Sequence, residues 1–169
     1  PGDWGGLVIN GRAPVNDCPN GDCPGEGNSG NFGGNDPSDS SGVLRYVRIQ
    51  FAGDSQTPEN QLNGIACQGC GAGTVIDYVQ VHANLDDGIE FFGGTANAKH
   101  LVLTDIGDDS LDWTFGWRGN VQYVLIRQDQ DPNSAVVDRG IEADNNEEAN
   151  DLEPRSMPRI ANMTLVGNP

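Results

Sequence analysis

The chain has 169 residues, with 24 Gly, 10 Pro, and 25 acidic against 9 basic side chains, for a formal net charge of −16. That length suffices for one domain with its own core, and no apolar run approaches the roughly 18 residues that a transmembrane helix needs. So acidic a surface repels phosphate polyanions, which excludes nucleic acid as a partner. It favours hard cations such as calcium, which bind Asp, Asn and backbone oxygens.

The sequence opens on Pro1, shows no signal-peptide pattern and stops at Asn168-Pro169 directly after a strand-like run, so a processed chain or a piece of a longer one is expected. Trp4-Gly5-Gly6-Leu7-Val8-Ile9 reads as a first strand, ended by the turn pair Asn10-Gly11. Residues 14–42 are almost entirely Gly, Asn, Asp, Ser, Pro and Cys, a long loop that must be functional or pinned. The four cysteines, Cys18, Cys23, Cys67 and Cys70, are disulfide candidates. A local Cys18–Cys23 bridge is the simplest pin, and bridges from either to Cys67 or Cys70 stay open. An even cysteine count in an acidic, Lys-poor chain suits an oxidising compartment, that is, an extracellular, cell-surface or periplasmic setting.

Five strand-like segments follow, beginning at Leu44, Ile76, Ala98, Val121 and Ile160. Aligned, they put Val47, Val79, Leu101, Val124 and Met163 in one column and Ile49, Val81, Leu103, Ile126 and Leu165 in the next, both facing inward by period-two alternation. Tyr46, Tyr78, His100 and Tyr123 form an outward column, suited to sugar rings or to stacking on one another. Neither His82 nor His100 has an evident Ser, Cys or carboxylate partner for nucleophilic chemistry.

Between these segments an acidic unit recurs. Asp86-Asp87-Gly88-Ile89-Glu90-Phe91 is matched 22 residues later by Asp108-Asp109-Ser110-Leu111-Asp112-Trp113, and more weakly by Asp138-Arg139-Gly140-Ile141-Glu142-Ala143. Each unit adds a second strand, with Ile65 and Cys67 in line with Ile89 and Phe91. A unit of about 22 residues is too short for a βαβ crossover and fits one coil of a parallel β-helix, whose stacked coils bury a continuous interior. The crossover rule makes it right-handed. The fold class is therefore all-β, a right-handed parallel β-helix of about 22-residue coils with long loop insertions, one domain over 1–169.

The run Gly2-Asp3-Trp4-Gly5-Gly6-Leu7-Val8-Ile9-Asn10-Gly11-Arg12-Ala13-Pro14 resembles a family of secreted or lipid-anchored bacterial β-helix proteins of the pectin-lyase-like type. The resemblance continues through Leu44-Arg45-Tyr46-Val47-Arg48, Ile76-Asp77-Tyr78-Val79-Gln80-Val81 and Asp86 to Thr95. It implies the fold, and little about activity, since members mostly lack an assigned one.

With Ile89 and Phe91 inward, Glu90 points out, and so do Asp112 and Glu142. Neighbours in that column lie about 4.8 Å apart, a spacing that demands a cation, a raised pKa or a basic partner. Asn63, Asp87, Asp109 and Arg139 form a parallel column in which Arg139 is placed to neutralise Asp109; Asp86, Asp108 and Asp138 form a third. With Asp144 these acids make the expected calcium site. The run Asp144 to Glu148 reads as a solvated loop. Catalysis on acidic polysaccharide is the alternative. Glu90 and Asp112 would be its acids, and Arg139 the proton acceptor by resemblance to pectate-lyase-like enzymes. The reading favoured is an extracellular, calcium-stabilised structural, surface-binding or adhesive module, able to form homo-oligomers or fibres.

Overall fold

A computed structural model of the chain describes residues 1–57, 60–129 and 139–168. In chain order come β1 (Leu7–Asn10), the short loop strands β2 (Cys23–Pro24) and β3 (Asn31–Phe32), and β4 (Val43–Gln50). The small pair β5 (Ser55–Thr57) and β6 (Asn60–Gln61) precedes β7 (Ile65–Gln68), β8 (Val75–His82), β9 (Ile89–Phe92) and β10 (Asn97–Thr104). β11 (Leu111–Thr114), β12 (Asn120–Arg127) and β13 (Arg159–Val166) complete the series.

Four-residue strands stack in parallel in the order β1-β7-β9-β11, and eight-residue strands in the order β13-β12-β10-β8-β4. Each coil supplies one strand to each sheet, which is the parallel β-helix that the repeat implied. The register follows the repeat: Leu111 pairs with Ile89 and Asp112 with Glu90. Ile141 bridges to Leu111, so the weaker third copy of the acidic unit begins a further coil.

Both inward columns read from the sequence are register partners. A third column lies beside them, one that strict alternation does not reveal: Leu44, Ile76, Ala98, Val121 and Ile160 also pair across the sheet. It lies three residues before the first column, not two, because the residue between is a corner. Tyr46, Tyr78, His100, Tyr123 and Asn162 all have left-handed backbone, with φ between 52° and 63°. For a side chain with a Cβ this costs roughly 1–2 kcal/mol. The rings offset it by stacking, Tyr46 on Tyr78 at 4.9 Å, Tyr78 on His100 at 4.2 Å and His100 on Tyr123 at 5.0 Å, each contact contributing about 0.5–1.5 kcal/mol.

Inside, Phe91 stacks on Trp117 at 4.2 Å, and Trp113 packs against the same indole at 5.7 Å. Cys67 is bonded to Cys70 at the corner that leads from β7 to β8, and Cys18 to Cys23 within the long loop. Both bridges are local, so the pairing across the two loops is not formed. At the last strand the interior columns surface: Met163 is 38 % and Leu165 43 % exposed.

The loop of residues 14–42 is far from a free excursion. Val15, Cys23 and Phe32 make a second small core with Cys18, Phe92 and Phe115. Phe92 lies on the outer face of β9, and Phe115 follows β11. The loop therefore lies over the outside of the short-strand sheet, drawn there by apolar area that water would otherwise meet.

Candidate acidic site

Strand alternation puts Ile89, Phe91, Leu111 and Trp113 inside and Glu90 and Asp112 on the outer face of adjacent rungs. Asp87 joins them from the turn before β9. Oxygens of Asp87, Glu90 and Asp112 all lie within 4.8 Å of one another, and so do those of Asp86, Asp87 and Asp108. Asp112 is 9 % and Asp87 8 % exposed, because the loop that shelters Phe92 and Phe115 also shelters this column.

That loop brings a carboxylate the sequence reading missed. Glu26 sits on a short 3-10 turn, Glu26–Asn28. Asn63 Nδ2 donates to Glu90 Oε2 at 2.7 Å and to Glu26 Oε2 at 3.3 Å, tying the loop to the ladder. Nothing in local spacing links positions 26, 63 and 90; the only signal was that so polar a loop needed something to hold it.

Burial without counter-charge raises these acids. Asp87 is pushed up to about 9 by burial, then by Asp112 and Asp86. Glu90 stands well above the usual range, from burial and then Asp112 and Asp87. Glu26 reaches about 7 through burial and Asp86. Asp86 reaches about 6 through burial and Asp108, and Asp112 about 6 through burial, partly offset by its hydrogen bonds with Glu90 and the Trp113 amide. Among the described residues no salt bridge reaches Asp87, Glu90 or Asp112.

The second column has a structural task as well. Asp87 Oδ1 accepts from the Asp109 amide at 3.0 Å, and Asp109 Oδ1 accepts from the Arg139 amide at 3.0 Å, so each carboxylate holds the next coil in register. The Arg139 guanidinium lies 3.4 Å from Asp109 Oδ2 and 3.3 Å from Glu142 Oε1. Glu142 and then Asp109 hold its pKa above its already high value, which makes Arg139 a poor proton acceptor. Burial and then Glu142 push Asp109 up to about 7, and burial and Glu142 raise Asp108. Glu142 and Asp144 run beside β11, their amides donating to the Leu111 and Trp113 carbonyls at 3.2 and 2.9 Å. Asp138 lies outside the described residues.

The stretch from Asp144 to Glu148 is not a simple solvated loop. Asn146 is buried and donates through Nδ2 to Asp17 Oδ1 at 3.0 Å. Both histidines do have carboxylate neighbours, contrary to expectation. His100 Nδ1 lies 2.8 Å from Asp77 Oδ1, and His82 Nδ1 lies 2.9 Å from Thr104 Oγ1 and 3.5 Å from Asp105 Oδ2. Asp77 and Asp105 sit one position off the register partners of His100 and His82. At His82 the hydroxyl and the carboxylate share one ring nitrogen, whereas a relay for nucleophilic attack uses both. The Tyr46, Tyr78, His100 and Tyr123 rings direct their faces at one another, which leaves mainly edges for a sugar.

Matching against family models places residues 1–169 in the pectate-lyase-like β-helix domain family. The chain belongs to that family. No curated protein and no solved structure matches it. Among the described residues no helix is long and apolar enough to cross a membrane.

Proposed function

We propose that the protein is an extracellular β-helix module whose acidic ladder binds calcium, and that its role is structural, surface-binding or adhesive. One observation carries this: three carboxylates, Asp87, Glu90 and Asp112, converge within 4.8 Å in a sheltered place, with no basic side chain among the described residues bonded to them. Calcium takes oxygen ligands of this kind and would remove the repulsion that raises their pKa values. Two disulfides fit an oxidising compartment. Copies of the module are proposed to associate end to end.

Thermal unfolding with saturating calcium and with chelator tests the ion. At about 100 times Kd the gain is about 2.7 kcal/mol, or roughly 5–10 °C for a domain this size. Asp112→Asn should remove most of that shift. An unchanged midpoint in the parent protein defeats the proposal, and sedimentation across the same samples reads assembly, which fails if the protein stays monomeric.

A second reading has its own support. Glu90 hydrogen-bonds to Asp112, with Glu90 the group held more strongly protonated. Glycoside hydrolysis uses one protonated and one ionised carboxyl, set about 5–9.5 Å apart, so a substrate would have to part this pair. Release of reducing ends or unsaturated uronate from acidic polysaccharides, lost in Glu90→Gln with the fold intact, would establish it. No release from a broad panel removes it.

A further inference from the structure

Residues 18–32, the middle of the long loop, are fastened to the coils differently from the chain on either side. Before them, the Gly94 amide donates to the Pro14 carbonyl at 2.8 Å and the Asn16 amide to the Phe115 carbonyl at 3.0 Å. After them, the Gly33 amide donates to the Gly11 carbonyl and the Asp36 amide to that of Arg12, both at 3.0 Å. Among the described residues, no backbone hydrogen bond joins 18–32 to a coil. Their backbone bonds are internal: β2 pairs with β3, the Gly25 amide donates to Gly30 and that of Ser29 to Glu26. The Cys18–Cys23 disulfide braces the same piece. The segment is stiff within and anchored through its backbone only at its ends. One of those ends is Gly33, at a φ of 87°, a residue free to change its backbone angles.

Side chains hold it down. Phe32, 2 % exposed, packs edge-on against Phe92 at 6.3 Å, while Asn10, Arg12 and Asn63 reach Ser29, Asn31 and Glu26. The seat beneath is imperfect. A cavity of about 150 Å³ remains between Glu26, Phe32, Gln68 and Phe92. Gln68 is 0 % exposed and neither of its amide atoms makes a well-formed hydrogen bond, although the Glu26 carboxylate stands close by. Asn10 Oδ1 is unpaired as well. Buried polar groups in that condition favour a state that lets water in, and lifting this segment reaches one without breaking a backbone bond to a coil. We propose that residues 18–32 are a flap that lifts as a unit about Asp17 and Gly33 and gates the passage of a cation to and from the acidic ladder. In the closed state Asn63 links Glu26 to Glu90, so the flap brings its own carboxylate to the ladder, where a bound cation holds it. The gating rests on the calcium reading; the lifting does not.

Cleavage of the full chain by a glutamate-specific protease, in chelator, tests the lifting without calcium. Glu26 is the one glutamate in the flap, and its bond to Gly27 is open to a protease only when the flap is up. Mass spectrometry should find this cut in otherwise folded protein, at a rate that low urea leaves unchanged, because lifting exposes far less surface than unfolding. Phe32→Ala should speed the cut about tenfold. Gln68→Met, which exchanges the unpaired amide for an apolar chain of similar shape, should slow it about fivefold, and it keeps the test alive should Phe32→Ala not fold. A cut that accelerates with urea in step with global unfolding, or that Gln68→Met hastens, overturns the flap. Stopped-flow release of calcium to a fluorescent chelator reads the gate. Saturating calcium should slow the cut, and each variant should change the release rate by the factor it changes the cut. Calcium that leaves Gln68→Met as fast as it leaves the parent overturns the gate. Failure to bind calcium at all would sink the calcium reading and the gate together, while the protease result would still decide the lifting.

Discussion

Truncating Phe91 to alanine is expected to lower stability by about 3–5 kcal/mol, the usual cost of removing a fully buried aromatic ring. Phe91 is 0 % exposed. It pairs with Cys67 on the rung below and Trp113 on the rung above, and lies flat on Trp117. The cavity cannot collapse easily, since each wall is a strand fixed by hydrogen bonds to two neighbours. For a domain of this size the melting midpoint should fall by roughly 6–20 °C. Tyr78→Ala, which removes a ring 45 % exposed at the surface, should cost much less. A fall of under about 1 kcal/mol for Phe91→Ala would mean that the interior does not close around this rung.

The calcium-free protein should become less stable as pH rises from about 5 to 9. Asp86, Asp87, Asp109, Asp112 and Glu26 have folded values of about 6, 9, 7, 6 and 7, against roughly 4 in an unfolded chain. Between these limits the folded state holds more protons than the unfolded one. Stability therefore falls with rising pH, beginning above about 4 and continuing through the folded values up to about 9. Even about 3 kcal/mol of net penalty, a fraction of what such values imply, lowers the midpoint by about 6–12 °C. Asp87→Asn keeps an oxygen for the Asp109 amide and removes the charge, so it should flatten the profile. Calcium should flatten it too, since the ion favours the ionised form. Melting in chelator across this range checks the claim, and a midpoint that rises with pH refutes it.

The fold was legible because the repeat is chemical and positional at once. Matching Asp86 to Phe91 against Asp108 to Trp113 fixed which residues share a rung, and alternation then fixed the inside. The third inward column was hidden because Tyr46, Tyr78 and His100 look like ordinary strand residues, and nothing local announces a left-handed corner at a non-glycine. The acids were legible as columns but their shelter was not. Glu26 reaches the ladder, and Asn146 meets Asp17, through loops whose path depends on where Phe92 and Phe115 need cover, a tertiary matter. The same blindness hid the carboxylates beside His82 and His100, which come from neighbouring coils at an offset.

The single-residue corners carry one last consequence, for how such a molecule changes length. A corner made by one residue leaves no slack. Gain or loss of a whole coil preserves every stack and every carboxylate-to-amide tie. Gain or loss of a few residues within a coil throws all later rungs out of step. Variation must therefore come either as full turns or as insertions confined to the loops between rungs, where the segment after Asp144 already stands. The molecule grows in integers.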